Sequence, residues 1–328
     1  METVKNDLKN KQFKQLYFFL GEEVFLSDFY IGKIKENLVQ LEEFNYFKLD
    51  SERLEFLQDA VQSSPMMSEK KLVVLRGLDF SKEIKDSDVS FIEELINDLP
   101  FYTHIIFSCR ELSKSSAKIS KLLKDKCTVC EFKKQGASEI FRWIINVVNK
   151  SEMKITKDAA ELITQYAGFD MNTLKNEIDK CCAYSKEEGI ITENTIKQVV
   201  TRNIESKTFD LLDAVMDMQK EKALRIFAEL EKDKEEPVLI NGALAKTIMD
   251  VLEYKLLKNE GLSPSAISGK MGLRPFQQKK YARYCDKMSE KFLQRMVSRC
   301  SEFDISFKSG VINGYTGLSL LICEMMER

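Results

Sequence analysis

Five short apolar runs separated by stretches of helical spacing constrain this chain most, because together they call for a parallel sheet. The runs are Leu16–Leu20, Tyr46–Asp50, Leu72–Leu75, Thr103–Phe107 and Thr128–Phe132. Each is too short for a buried helix, and most are nearly continuous in apolar character, as strands covered on both faces are. Between them lie helical patterns. Over Val24–Gln40 the residues Phe25, Phe29, Ile31, Ile34 and Leu38 share one broad face. Arg53–Gln62 turns Leu54, Leu57 and Val61 inward, Ser90–Leu99 is stopped by Pro100, and Ser116–Lys124 is a further helix. Asp79–Asp88 reads as polar loop. Strands alternating with helices predict an α/β domain over residues 1–135, built on a parallel five-stranded sheet.

The pattern changes after Lys134, beyond which no strand is expected. Ser138–Val148, Lys157–Tyr166, Met171–Ser185 and Thr192–Val200 read as helices of a small domain over residues 136–205. Gly168 ends the second of these. Thr192 caps the fourth only in part, since Thr195 stands where a capping box carries Glu. Ile204–Thr208 reads as a linker. Seven further helices, Phe209–Met218, Lys220–Leu230, Pro237–Leu257, Pro264–Met271, Pro275–Met288, Lys291–Phe303 and Val311–Met326, predict a larger all-α domain over residues 206–328.

A chain of 328 residues suits two or three such domains. Its net charge of −2 exerts no global pull on nucleic acid or anionic lipid, so any such contact needs a local patch. No window approaches a membrane span, and Met1–Gln15 lacks the apolar stretch of a signal peptide, so the chain reads as cytoplasmic with no membrane partner. The eight cysteines are scattered and read as reduced. Cys127 and Cys130 have the spacing of half a zinc site, but no second pair exists, so no metal is expected. The single histidine, His104, lies in an apolar run, which leaves no catalytic Ser-His or Cys-His engine.

The turn after the first strand invites a phosphate-loop reading and fails it. Such a loop needs several glycines, a Lys and a Ser or Thr. Here Leu20-Gly21-Glu22-Glu23-Val24-Phe25-Leu26 has one glycine and two carboxylates that would repel a polyphosphate. The third strand ends Leu75-Arg76-Gly77, where an NTPase carries acids for magnesium. No nucleotide cofactor, no ATP hydrolysis and no catalytic residue are expected. Ser298-Arg299-Cys300 reads as an ordinary helix surface, not an arginine finger.

Two other stretches stand out. Ser64-Pro65-Met66-Met67-Ser68 forms a corner ahead of the third strand, where two flexible thioethers either plug a pocket on another protein or fold back into their own core. Ser263–Pro275 resembles the first helix and turn of a helix-turn-helix, with Gln277, Gln278, Lys279 and Lys280 on the following helix. Lys280, Arg283, Lys287, Lys291 and Arg295 recur at helical spacing. With Lys279 they form a candidate stripe for DNA phosphates if the helix is continuous, or otherwise a solvated face. Phe276, Tyr281 and Tyr284 interleave as core.

Taken in order, Leu20–Leu26, Ser64–Ser68, Asn172–Lys180, Phe209–Ala214, Ala266–Lys280 and Asp304–Gly310 resemble the delta subunit of bacterial DNA polymerase III, the clamp-opening member of the clamp loader. The resemblance implies a degenerate AAA+ sheet domain, a helical lid and a helical collar. The collar would join the gamma/tau and delta-prime subunits of a pentameric loader. It implies a subunit without ATPase activity, working on primed DNA, whose Pro65, Met66 and Met67 enter a pocket of the ring-shaped sliding clamp, the beta subunit. The family often has aromatic residues at that corner, where this chain has two methionines. The resemblance also explains Ala266–Lys280 as collar packing, and makes Tyr315 a positional candidate for contact with a primer–template junction. A polymerase label would belong to the holoenzyme, since no paired magnesium-binding carboxylates for nucleotide transfer are found in this chain. The competing readings are a helix-turn-helix DNA-binding regulator and a nucleotide-hydrolysing enzyme.

Overall fold

A computed structural model describes residues 1–77, 85–111 and 117–327. The chain divides into two compact units, Met1–Gly136 and Ala137–Arg328.

The first unit runs α1 (Glu2–Asn10), β1 (Leu16–Leu20), α2 (Val24–Leu38), α3 (Glu42–Asn45) and β2 (Tyr46–Asp50). A 3-10 turn, Ser51–Phe56, leads into α4 (Leu57–Gln62), and β3 (Lys71–Arg76), α5 (Asp86–Asn97), β4 (Thr103–Cys109), α6 (Ala117–Lys126) and β5 (Thr128–Glu131) follow. The strands form one parallel sheet in the order β2-β3-β4-β1-β5. Alternate residues feed opposite faces. Phe18, Val73, Leu75, Ile105 and Phe107 meet Leu57, Val61, Ile92 and Ile119 of the helices on one side. Tyr17, Phe19, Leu72, Val74 and Ile106 meet Val4, Ile31 and Ile34 on the other. Burial on both faces is what makes these strands read as continuous apolar runs.

Several expectations need correction. The polar start, to which the sequence assigns no element, folds as α1, tied down by buried Val4 and by the Tyr17 hydroxyl, which donates to Asp7 Oδ2 at 2.7 Å. Phe29 does not share the buried face of α2 but is exposed. Arg53–Gln62 is helical only from Leu57, after the 3-10 turn. The expected loop Asp79–Asp88 lies outside the described residues over 79–84, and its last residues, Asp86–Asp88, open α5. Ser116, the expected start of α6, also lies outside them.

The second unit runs α7 (Ala137–Lys150), β6 (Lys154–Ile155), α8 (Lys157–Ala167), α9 (Met171–Tyr184), β7 (Ile190–Ile191), α10 (Glu193–Val199), α11 (Ile204–Met216) and α12 (Lys220–Lys232). It continues with α13 (Pro237–Asn259), α14 (Pro264–Met271), α15 (Pro275–Lys287), α16 (Glu290–Lys308) and α17 (Gly314–Met326). β6 and β7 pair in parallel, so the expectation of no strand after Lys134 is wrong. Two-residue strands are too short to leave a periodic signal. The capping box at Thr192 is complete, because the Thr195 hydroxyl accepts from the Thr192 N–H at 3.2 Å as a Glu would. Ile204–Thr208 is no linker. Asn203 caps α11 by accepting from the Ser206 N–H at 2.8 Å, and Ser206 and Thr208 are buried. From α11 onward the helices enclose one core that includes Phe209, Leu244, Tyr281, Tyr284, Leu293 and Leu318.

Candidate functional site

The corner between α4 and β3 presents its methionines outward. Pro65 is half-buried, Met66 is 52% exposed and Met67 is 85% exposed. They do not fold back into their own core, and Met67 has a left-handed backbone, φ +48°. Such a conformation costs a non-glycine residue about 1–2 kcal/mol. The surrounding groups hold it from both shoulders. The fully buried Asn45 side chain donates to the Met66 carbonyl at 2.9 Å and accepts from the Met66 N–H at 2.7 Å. On the other side Lys71 Nζ donates to the carbonyl of Ser63 and to its hydroxyl, the latter at 2.9 Å.

Lys71 stands just ahead of the apolar run Leu72–Leu75 and is the fully buried first residue of β3. Its ammonium lies 5.6 Å from the Phe47 ring and 5.7 Å from the Tyr102 ring. Among the described residues no carboxylate pairs with it, and burial pulls its pKa down to about 8. Tyr102 donates its hydroxyl to the Gln62 carbonyl at 3.0 Å, and Thr103 donates to the Val61 carbonyl at 2.9 Å. The chain entering the corner is therefore bonded to the start of β4. Sequence reasoning missed Asn45 and Lys71. Asn45 is distant in sequence from Met66, and only the parallel pairing of β2 with β3 brings them together.

The turn after β1 is closed by its own sheet. The Gly21 N–H donates to Cys109 O and the Glu23 N–H donates to Phe132 O, both at 3.0 Å. Glu22 pairs with Lys134 at 2.8 Å. Backbone donors that would face phosphates in a phosphate loop are thus bonded within the domain. Gly21 serves close packing, because a Cβ there would lie 2.1 Å from Phe132 O. At the end of β3, Arg76 pairs with Asp28 at 2.8 Å.

The basic residues of the second unit do not form one stripe. α15 ends at Lys287 and α16 begins at Glu290, so the continuous helix that the stripe requires is absent. Lys280 pairs with Asp213 at 2.7 Å, and Arg283 pairs with Asp213 at 3.0 Å and also with Asp217. Lys287 joins Asp217 at 2.7 Å. These two cations hold the Asp217 carboxyl down at a pKa of about 2. Their charge faces the carboxylates at the end of α11. Lys279 and Lys291 are exposed and have no ion pair among the described residues. Lys291 and Arg295 border an open groove of about 450 Å³ with Lys287, Ser289 and Phe292.

The helix-turn-helix outline is present as α14 and α15, and much of the second helix is taken up by packing. Tyr281 and Tyr284 are buried, and Gln277 is held by the Arg274 N–H at 3.1 Å. Tyr315 is half-buried, with its hydroxyl donating to the Glu235 carbonyl at 3.1 Å. Arg299 pairs with Glu324 at 2.5 Å and Glu302 at 2.5 Å on the helix surface. Cys127 and Cys130 enter the cores on opposite faces of the sheet, so they cannot converge on one ion. His104 is buried against Lys14 O at 2.8 Å. Among the described residues no cluster could hold a metal, and no helix is long and apolar enough to cross a membrane.

A parallel sheet with a closed phosphate turn, followed along the chain by helices and one short parallel strand pair, is the arrangement of an AAA+-like protein. Residues 17–133 match the family model for the DNA polymerase III delta subunit, and residues 205–325 match the model for its C-terminal domain. The chain belongs to the DNA polymerase III delta subunit family. It is 24% identical to DNA polymerase III subunit delta of Bacillus subtilis, over 99% of this chain and 96% of that protein. A probable DNA polymerase III subunit delta of Aquifex aeolicus is 21% identical over 89% of this chain and 85% of its own length. The solved Bacillus subtilis DNA clamp loader delta protein shares the fold, with a TM-score of 0.67 and 23% identity, covering 100% of this chain and 99% of that one.

Proposed function

We propose that this clamp-loader subunit is non-catalytic and grips the ring-shaped sliding clamp through Pro65, Met66 and Met67, opening it for loading onto primed DNA in the cytoplasm. The observation that carries the reading is the outward presentation of both methionines on a corner bonded from both sides. An apolar residue at 85% exposure in a left-handed conformation is unfavourable for the free domain, and a partner pocket gives it a use. Full burial of a methionine contributes about 1.5–3 kcal/mol, of which Met67, 85% exposed, can still gain most and Met66, 52% exposed, about half, and this suits a reversible grip.

The closed turn after β1 supports a role without ATP turnover, and Arg76 at the end of β3 supports it further. In this reading residues 136–205 act as lid and 206–328 as collar, joining gamma/tau and delta-prime subunits. Lys279, Lys291 and Arg295 are the cations best placed to meet DNA phosphates, whereas Lys280, Arg283 and Lys287 brace α15 on α11. A stacking role for Tyr315 requires its hydroxyl to leave Glu235.

The test is the double variant Met66→Ala/Met67→Ala, assayed for binding to the clamp of the same species. Loss of binding with an unchanged melting curve is expected. Retained affinity removes the reading, and measurable ATP turnover by the isolated chain removes its non-catalytic part.

A further inference from the structure

We propose that Asn45 is a positioning residue for the partner-binding corner, acting as a side-chain template for the Met66 peptide. The inference rests on the clamp-gripping reading of that corner. Asn45 ends α3 immediately before β2 and is fully buried. Its Nδ2 donates to Gln40 O at 2.7 Å and Met66 O at 2.9 Å, while its Oδ1 accepts from the Met66 N–H at 2.7 Å. Both polar groups of Met66 are therefore satisfied by one carboxamide.

The location explains the arrangement. β2 and β3 pair from Tyr46 and Leu72 onward, so Asn45 stands one residue before the ladder begins. Met66 precedes β3 and lies outside that ladder. The carboxamide spans the gap, offering a donor and an acceptor as a paired strand would. Met67 comes next, with φ +48° and 85% of its surface exposed. Its side chain contributes little packing to hold that conformation, so the backbone bonds on either side must do so. Lys71 supplies the bonds at Ser63, and Asn45 supplies those at Met66.

A corner freed from its template spends less time in the shape that a pocket accepts, and apparent affinity falls by that fraction. The experiment uses the full chain and the sliding clamp of the same species. Association and dissociation rates are measured for the wild type, Asn45→Ala, Met66→Ala/Met67→Ala and the triple variant. Hydrogen exchange at the Met66 amide is followed in parallel. Asn45→Ala should weaken binding by about tenfold, chiefly in the association rate, with Met66 protection lost and β3 protection kept. The triple variant should bind no more weakly and no better than the double alanine, because the side chains that Asn45 positions are already gone.

Asn45→Ala binding like wild type, while the double alanine has lost the clamp, overturns the role of Asn45 and leaves the corner reading standing. A double alanine that still binds overturns the corner reading itself. Should Asn45→Ala not fold, Asn45→Asp serves in its place. It keeps the volume and the acceptor for Met66 N–H but replaces the donor, and it faces the same criterion.

Discussion

Met67→Gly separates partner binding from stability, because the two should move in opposite directions. At φ +48° the methionine pays about 1–2 kcal/mol for a left-handed backbone that glycine adopts without strain. Glycine's freedom in the unfolded chain offsets part of this gain, about 0.5–1 kcal/mol. The side chain is 85% exposed, so its removal takes little packing from the free domain. The variant should therefore melt at or slightly above the wild-type temperature. Binding should fall. Full burial of a methionine contributes about 1.5–3 kcal/mol, and 85% of that surface is still available to a partner. The loss is then about 1.3–2.6 kcal/mol, or roughly 10- to 80-fold in Kd. Calorimetric titration against the sliding clamp, with a thermal melt of the same preparation, reads both quantities. Unchanged affinity would refute the argument. A melting temperature lowered by several degrees would also refute it, by showing that the thioether packs within its own domain.

Three further outcomes follow from the same structure. Lys71 has a folded pKa of about 8 against an ordinary value of 10.5, so between those values the unfolded chain binds more protons and stability rises with pH. Urea titrations across that window should show a rise in the wild type that Lys71→Met lacks. Asp217 has the opposite sign: its pKa, held at about 2 by Arg283 and Lys287, gives stability that is present above about pH 4 and lost as pH falls toward 2. Asp217→Asn should flatten that acid limb. Gly21→Ala would place a Cβ 2.1 Å from Phe132 O, which must force β1 and β5 apart. It should cost at least about 2 kcal/mol and lower the melting temperature by about 5 °C or more.

How legible these features were depended on how local their causes are. The five strands showed because burial on both faces leaves continuous apolar runs such as Leu16–Leu20. The failed phosphate turn was visible in Gly21-Glu22-Glu23, since charge repulsion and missing glycines need no tertiary context. The corner was visible as Pro65-Met66-Met67, but whether it faced inward or outward was not. The basic spacing through Lys280, Arg283 and Lys287 looked like a ligand surface because Asp213 and Asp217, its partners, lie far away in the chain.

By itself, then, the order of residues determined the α/β character of the first unit, the helical character of most of the second, and the absence of phosphate-loop residues. Each follows from side-chain periodicity and type within a few residues. Only the folded structure decided that Met67 stands in solvent, that Asn45 and Lys71 hold the corner, and that α15 turns its cations onto α11. Those outcomes depend on which strands and helices become neighbours. Neighbours are chosen by burial of the whole core, a sum to which no short stretch has access.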